Sequence, residues 1–273
     1  MVTIRWTGAA GIEITEDATT LLIDPFHSRP GKLCLFFGRL EAEENVIDRY
    51  LDDLRDRTVE AIIASHTHYD HVLDIPLLSQ RLECSIIGSR SLGTLLALNG
   101  RPGTVTVCAG GEQITLPGGA TVTMIRSRHG LVFLGKIPYQ GDINPACSLP
   151  MRGTDYRVGD AFISKVTIGG TTFMHIGSAN FVEREIEGHR CDVLFMAVPG
   201  WKKSPGYCSR LLQIVQPKVI VPFHYDDFSS PLQKDRVIHS IPFQDMRGFL
   251  NSVSSHVPGC EIRMVRPFEK MTF

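Results

Sequence analysis

Apolar and polar positions alternate with period two at the start of the chain, broken by Gly8, Gly11 and a Glu16-Asp17 turn. This pattern predicts strands near 2–6, 11–15 and 19–24. The run Val59-Glu60-Ala61-Ile62-Ile63-Ala64 is apolar almost throughout and predicts a buried strand. Helical spacing marks 44–54, 75–82 and 91–99, the last closed by Asn99-Gly100. Further strands are expected at 84–88, 104–108, 120–126, 161–168 and 171–176. The C-terminal third then alternates: helix 180–187, strand 192–197, helix 205–215, strand 218–222, helix 243–255 and strand 261–265. Hairpins mixed with βα units point to an α/β fold, neither all-β nor purely parallel. No repeat of fixed period and no low-complexity tract interrupts it.

Two stretches carry no such pattern. Residues 25–43 hold Pro25, Pro30, Gly31 and Gly38, and residues 130–158 hold Pro138, Gly141, Pro145, Pro150 and Gly153. Loops of this length in a compact domain commonly form binding surfaces, so both are expected beside the active site. The apolar run Leu33–Phe37 inside the first reads foremost as core packing, with a pocket-lining role second.

Composition narrows the class. Of 273 residues 43% are hydrophobic and 21% charged, enough for a sizeable core, and the net charge of −1 provides no general field for nucleic acid or an anionic membrane. Without a run of roughly 20 apolar residues no membrane span is expected. The N-terminus lacks the apolar segment of a signal peptide. Seven cysteines are scattered with no Cys-x-x-Cys pair, which suits reduced thiols and a cytoplasmic setting. A single domain over 1–273 accounts for the length, and a homo-oligomer is compatible with it.

The chemistry concentrates in Ser65-His66-Thr67-His68-Tyr69-Asp70-His71, directly after the buried strand. In an extended segment His66 and His68 point the same way, and Asp70 and His71 can face a second position one turn later. Imidazole and carboxylate donors together suit zinc, iron or manganese. The His-x-His-x-Asp-His pattern at 66–71 resembles the signature of the metallo-β-lactamase superfamily. Asp24 in Leu22-Ile23-Asp24-Pro25, His129 in Ser127-Arg128-His129-Gly130 and His224 in Pro222-Phe223-His224-Tyr225 extend the resemblance along most of the chain. The Pro-Phe-His-Tyr ending is most similar to the ascorbate-6-phosphate lactonase-like branch.

The resemblance implies a four-layered αββα sandwich of two mixed sheets flanked by helices. It implies two divalent metals, zinc foremost with manganese or iron as alternatives, the first on His66, His68 and His129, the second on Asp70, His71 and His224. Asp24 would orient a ligand histidine, and Tyr225 would lie beside the ligands. One departure stands out: many relatives have Gly-Asp-Thr where this chain has Gly177-Ser178-Ala179. That aspartate bridges the metals in the relatives. Ser178 is at best a weak ligand, so the second metal is expected to be weakly held or absent.

Three protein donors and an open position per metal is the catalytic pattern. A hydroxide generated between two cations would attack a carbonyl or phosphorus centre, with Asp70 orienting it and carrying its proton. Hydrolysis of an ester, lactone, amide or phosphoester bond in a small molecule is the expected reaction. An iron-dependent oxidoreductase, such as a mononuclear thiol dioxygenase, and a non-catalytic metal-binding homologue are the alternatives. Arg29, Lys32, Arg128 and Arg152 are candidate contacts to an anionic substrate. No basic, aromatic-interleaved insertion suggests a nucleic-acid partner.

Overall fold

The computed structural model describes residues 1–231, 238–242 and 244–273. Strands β1 (Val2–Gly8), β2 (Gly11–Glu16) and β3 (Thr19–Ile23) form an antiparallel meander. Helices α1 (Lys32–Phe37) and α2 (Glu44–Asp53) lead to β4 (Thr58–Ile63), which pairs with β3 in parallel. Then follow α3 (Tyr69–Val72), α4 (Ile75–Arg81), β5 (Ser85–Gly88), α5 (Arg90–Leu98) and β6 (Val105–Val107). The second half begins with the antiparallel strands β7 (Gln113–Thr115), β8 (Thr121–Arg126), β9 (Phe162–Ile168) and β10 (Thr171–Ile176). It continues in parallel through α6 (Glu183–Ile186), β11 (Val193–Ala197), α7 (Tyr207–Val215), β12 (Val219–Phe223), α8 (Met246–His256) and β13 (Glu261–Ile262). Finally β14 (Lys270–Thr272) returns to pair with β1. Two seven-stranded mixed sheets result, in the orders β14-β1-β2-β3-β4-β5-β6 and β13-β12-β11-β10-β9-β8-β7.

The layers follow from alternation along each strand. Leu21 and Ile23 of β3 join Ile12, Ile14, Ala61 and Ile63 against Val122, Met124, Val166 and Phe173 of the second sheet. Leu22, between them, turns outward with Val59, Ile62 and Ile86 to pack under Ile47, Leu78 and Leu95 of the helices. A bulge opposite Thr20/Leu21 inserts Glu60 into β4 and keeps Val59 outward while Ala61 faces in. On the other side Leu211 and Val215 of α7 and Phe249 and Val253 of α8 complete the core. The expected α/β architecture, two mixed sheets flanked by helices, is what the chain adopts.

The departures are local. Loop 25–43 contains α1, and its apolar run does not enter the core: Leu33, Phe36 and Phe37 are 79%, 79% and 84% exposed. Five consecutive apolar residues at helical pitch cannot share one face, so only Cys34 and Leu35 pack inward. The expected helix 180–187 shrinks to the single turn α6. The short strands β7 and β14 and the one-turn helix α3 carry too few residues for a periodic signal. Residue 243, at the start of the expected helix 243–255, lies outside the described residues.

Candidate metal centre

Strands β3, β4, β8, β10 and β12 all end at one edge of the sandwich, and each is followed within three residues by one singled out above: Asp24, His66, His129, Ser178 and His224. The joints are held by main-chain bonds: Asp24 N donates to Ile63 O (2.8 Å), Phe162 N to Ser65 O (2.7 Å) and Thr67 N to Val158 O (3.0 Å). Asp24 and His224 both have left-handed backbone conformations, φ +46° and +63°. Strain of this kind in non-glycine residues gathers at functional sites. At the end of β12 the twist separates neighbours: His224 turns into the site, while Tyr225 turns into the core.

The histidines and Asp70 gather in two buried groups, His66/His68/His129 and Asp70/His71/His224, with donor atoms in each group within 4.8 Å of one another. In the second group His224 Nε2 stands 3.3 Å from His71 Nε2 and 3.4 Å from Asp70 Oδ2. The two groups adjoin, since the His66 and His71 rings lie 3.7 Å apart.

Hydrogen bonding to the far side of each ring selects the nitrogen that faces the group. His71 Nδ1 donates to Asp24 Oδ2 (2.7 Å), and His129 Nδ1 to Gly130 O (2.7 Å), so each presents Nε2. Ser65 Oγ gives its single proton to Asp24 Oδ2 (2.5 Å) and therefore accepts from His66 Nδ1 (3.0 Å). His66 Nε2 is buried with no protein partner. His68 is reversed: Nε2 donates to Pro138 O (3.1 Å), leaving Nδ1. Lone pairs of buried imidazoles brought together beside a carboxylate repel one another unless a cation sits among them. The donor set therefore fits divalent metal ions in both groups.

The electrostatics agree with that fit in the first group. Burial holds His66 well below the usual imidazole range and lowers His68 to about 4 and His129 to about 3, so these three stay neutral and able to ligate. For Asp70 burial acts upward, but His71 and His224 outweigh it and keep the carboxylate ionised. Burial likewise opposes the charges of Asp24 and His71, yet their mutual attraction lowers the first and raises the second.

Other residues named from the sequence lie differently. Ser178 Oγ accepts from Gly130 N (2.9 Å) and so braces the turn after His129. The Tyr225 ring lies 5.0 Å from that of Trp6, tilted by 35°, and its hydroxyl donates to Val265 O (3.4 Å), away from the donors. Arg29 is buried in an ion pair with Asp226 (2.9 Å), and Lys32 meets Asp227 at 3.4 Å. Arg128 and Arg152 are exposed, with no ion pair among the described residues. Sequence reading missed Ser65, although it directly precedes His66. It also missed Gly177, where a Cβ would come within 2.5 Å of Ser65 Oγ, and Asn180, whose amide donates to His129 O (3.3 Å). His175 is fully buried, and its Nε2 donates to Ala10 O (2.8 Å).

A two-sheet sandwich with clustered histidines at the strand ends defines a class, the metallo-hydrolase-type αββα proteins. The family model described as a beta-lactamase superfamily domain matches residues 3–224, and the chain belongs to the metallo-β-lactamase superfamily. It is 28% identical over 235 residues to a UPF0173 metal-dependent hydrolase of Anaeromyxobacter sp. (strain K), covering 82% of this chain and 75% of that protein. A UPF0173 metal-dependent hydrolase of Archaeoglobus fulgidus is 26% identical over 277 residues, with 99% and 98% covered. Among solved structures, a metallo hydrolase from Ignicoccus hospitalis shares the fold with a TM-score of 0.66 at 17% identity, covering 100% and 98%. No helix among the described residues is long and apolar enough to cross a membrane.

Proposed function

We propose that this protein is a metal-dependent hydrolase with a two-metal centre that cleaves an ester, lactone, amide or phosphoester bond in a small molecule. The observation that carries the reading is the pair of adjoining, buried three-donor groups, with the ring nitrogens oriented by partners outside the group. The names of the curated relatives support the hydrolase class.

His66 through Nε2, His68 through Nδ1 and His129 through Nε2 would hold one ion. Asp70, His71 and His224 would hold the other. Divalent cations bound there, zinc foremost, lower the pKa of water toward neutrality and draw charge from the scissile group. Asp70 stays ionised beside His71 and His224, and would take the proton of the attacking water and return it to the leaving group. Asp24 and Ser65 keep His71 and His66 in the tautomers that ligate. Ser178 adds no charge, so Asp70 is the single anionic donor of the two groups.

The test is metal content by mass spectrometry beside turnover of lactone, thioester, phosphodiester and β-lactam substrates. Two equivalents of metal with turnover are expected. His66→Ala and Asp70→Ala should each cut turnover by at least about a thousandfold while circular dichroism stays native. Undiminished turnover in either pure variant would overturn the reading.

A further inference from the structure

An aromatic ring lies beside each donor group. The Tyr139 ring, itself 44% exposed, lies 6.3 Å from His68. The Phe228 ring lies 5.7 Å from His224 and 6.1 Å from Tyr69, the neighbour of Asp70. Helix α1 continues this rim. Its Lys32 reaches Asp227, next to Phe228, and Gly153 lies between the Leu35 carbonyl and the Tyr69 ring, since a Cβ there would stand 3.5 Å from one and 3.9 Å from the other. Arg39, just past α1, donates to Pro150 O (2.6 Å) and so brings exposed Leu149 to the same side.

Helix α1 is flanked by Gly31 and Gly38, buries none of its residues and presents Leu33, Phe36 and Phe37 to solvent. An apolar cluster of this kind beside a reactive centre marks a contact surface. Of the basic side chains flanking this cluster, Lys32 meets Asp227, Arg29 gives its Nη1 to Asp226, and Arg39 donates to the Ser148 and Pro150 carbonyls.

Resting on the hydrolase reading, we infer that the substrate carries an apolar tail. The scissile group lies at the two donor groups, and the tail runs past Tyr139, Tyr69 and Phe228 onto Leu33, Phe36 and Phe37. Continuity of the aromatic rim with the donor groups is what assigns this surface to the substrate and not to a second copy of the chain. Phosphorylated or short polar substrates leave the rim unused.

The test separates tail binding from catalysis. Hydroxamates chelate divalent metals whether or not the protein turns anything over. The zinc-loaded full chain is titrated calorimetrically with acetohydroxamate and octanohydroxamate, and its sedimentation is measured in parallel. We expect the eight-carbon compound to bind about tenfold or more tightly than the two-carbon one, from methylenes moved out of water. The Phe36→Ser/Phe37→Ser double variant and Tyr139→Ala should each shrink that ratio to about twofold, as the lost apolar contact requires. A flat ratio in the unaltered protein, no hydroxamate binding at all, or a ratio that survives both variants overturns the inference. So does a double variant that changes only the oligomeric state, which would assign α1 to an interface between copies. A normal ratio with no turnover of short- or long-chain acyl esters overturns the hydrolase reading and leaves the apolar rim standing.

Discussion

Ser65 has one hydroxyl proton and several neighbours that compete for it. Asp24 is an ionised acceptor at 2.5 Å, so the proton goes there, and the oxygen is left to accept from His66 Nδ1 at 3.0 Å. Asp24 also takes His71 Nδ1, so one buried carboxylate orients a donor in each group, directly in one case and through Ser65 in the other. Ser65→Ala should therefore weaken metal binding by about 10–100-fold, measured by chelator competition, with little change in secondary structure. Equal affinity in the variant would show that His66 keeps its tautomer without help. The donors His66, His68, Asp70 and His71 were legible in the sequence because they are contiguous. Their tautomers were not: Pro138 lies 70 positions from His68, and Asp24 lies 47 from His71.

At the level of elements, the site depends on how strand ends are tied together. Arg29 follows β3 and Asp226 follows β12, and their buried bond fastens loop 25–43 to the segment carrying His224. Arg29→Met leaves Asp226 charged and unpaired in the interior, and should cost about 3–5 kcal/mol in chemical denaturation. Adding Asp226→Asn should restore most of that. Gly177, after β10, approaches Ser65 and Asp24 so closely that Gly177→Ala must displace them. A lower melting temperature together with reduced metal content is the expected result, and loss of one without the other would separate packing from ligand orientation. Most strands fell within a residue or two of their predicted bounds, since most are apolar runs buried on both faces and bounded by turn residues. Helix α1 escaped because composition reports that Leu33–Phe37 are apolar and is silent on whether anything lies above them.

Across the whole molecule the two sheets repeat one plan, an antiparallel meander continued by parallel strands. Both halves thus deliver their strand ends to the same edge. Behind the helix layer Glu13 accepts from Arg5, Arg57 and Tyr50, and His27 stacks on Tyr50 at 3.7 Å. Burial, with Arg29 and Arg5 nearby, lowers His27 to about 3. The unfolded chain binds that proton near pH 6.5, so the contribution to stability is present above this value and is lost as pH falls toward 3. His27→Phe keeps a ring on Tyr50 and should flatten the stability slope between pH 4 and 6 by about 1.4 kcal/mol per unit. An unchanged slope in urea titrations would show that His27 already protonates in the folded protein.

The sequence by itself determined the strand pattern and the α/β class, and it singled out His66, His68, Asp70 and His71 as candidate donors, because periodicity and short spacing are local properties. Only the tertiary structure decided which nitrogen each histidine presents, that Ser178 braces the His129 turn, that Tyr225 packs on Trp6, and that Arg29 and Lys32 are already paired. Apart from His66 and His129, which are oriented by their chain neighbours Ser65 and Gly130, those outcomes depend on contacts between residues 47 to 219 positions apart, and such contacts exist only once the chain has folded.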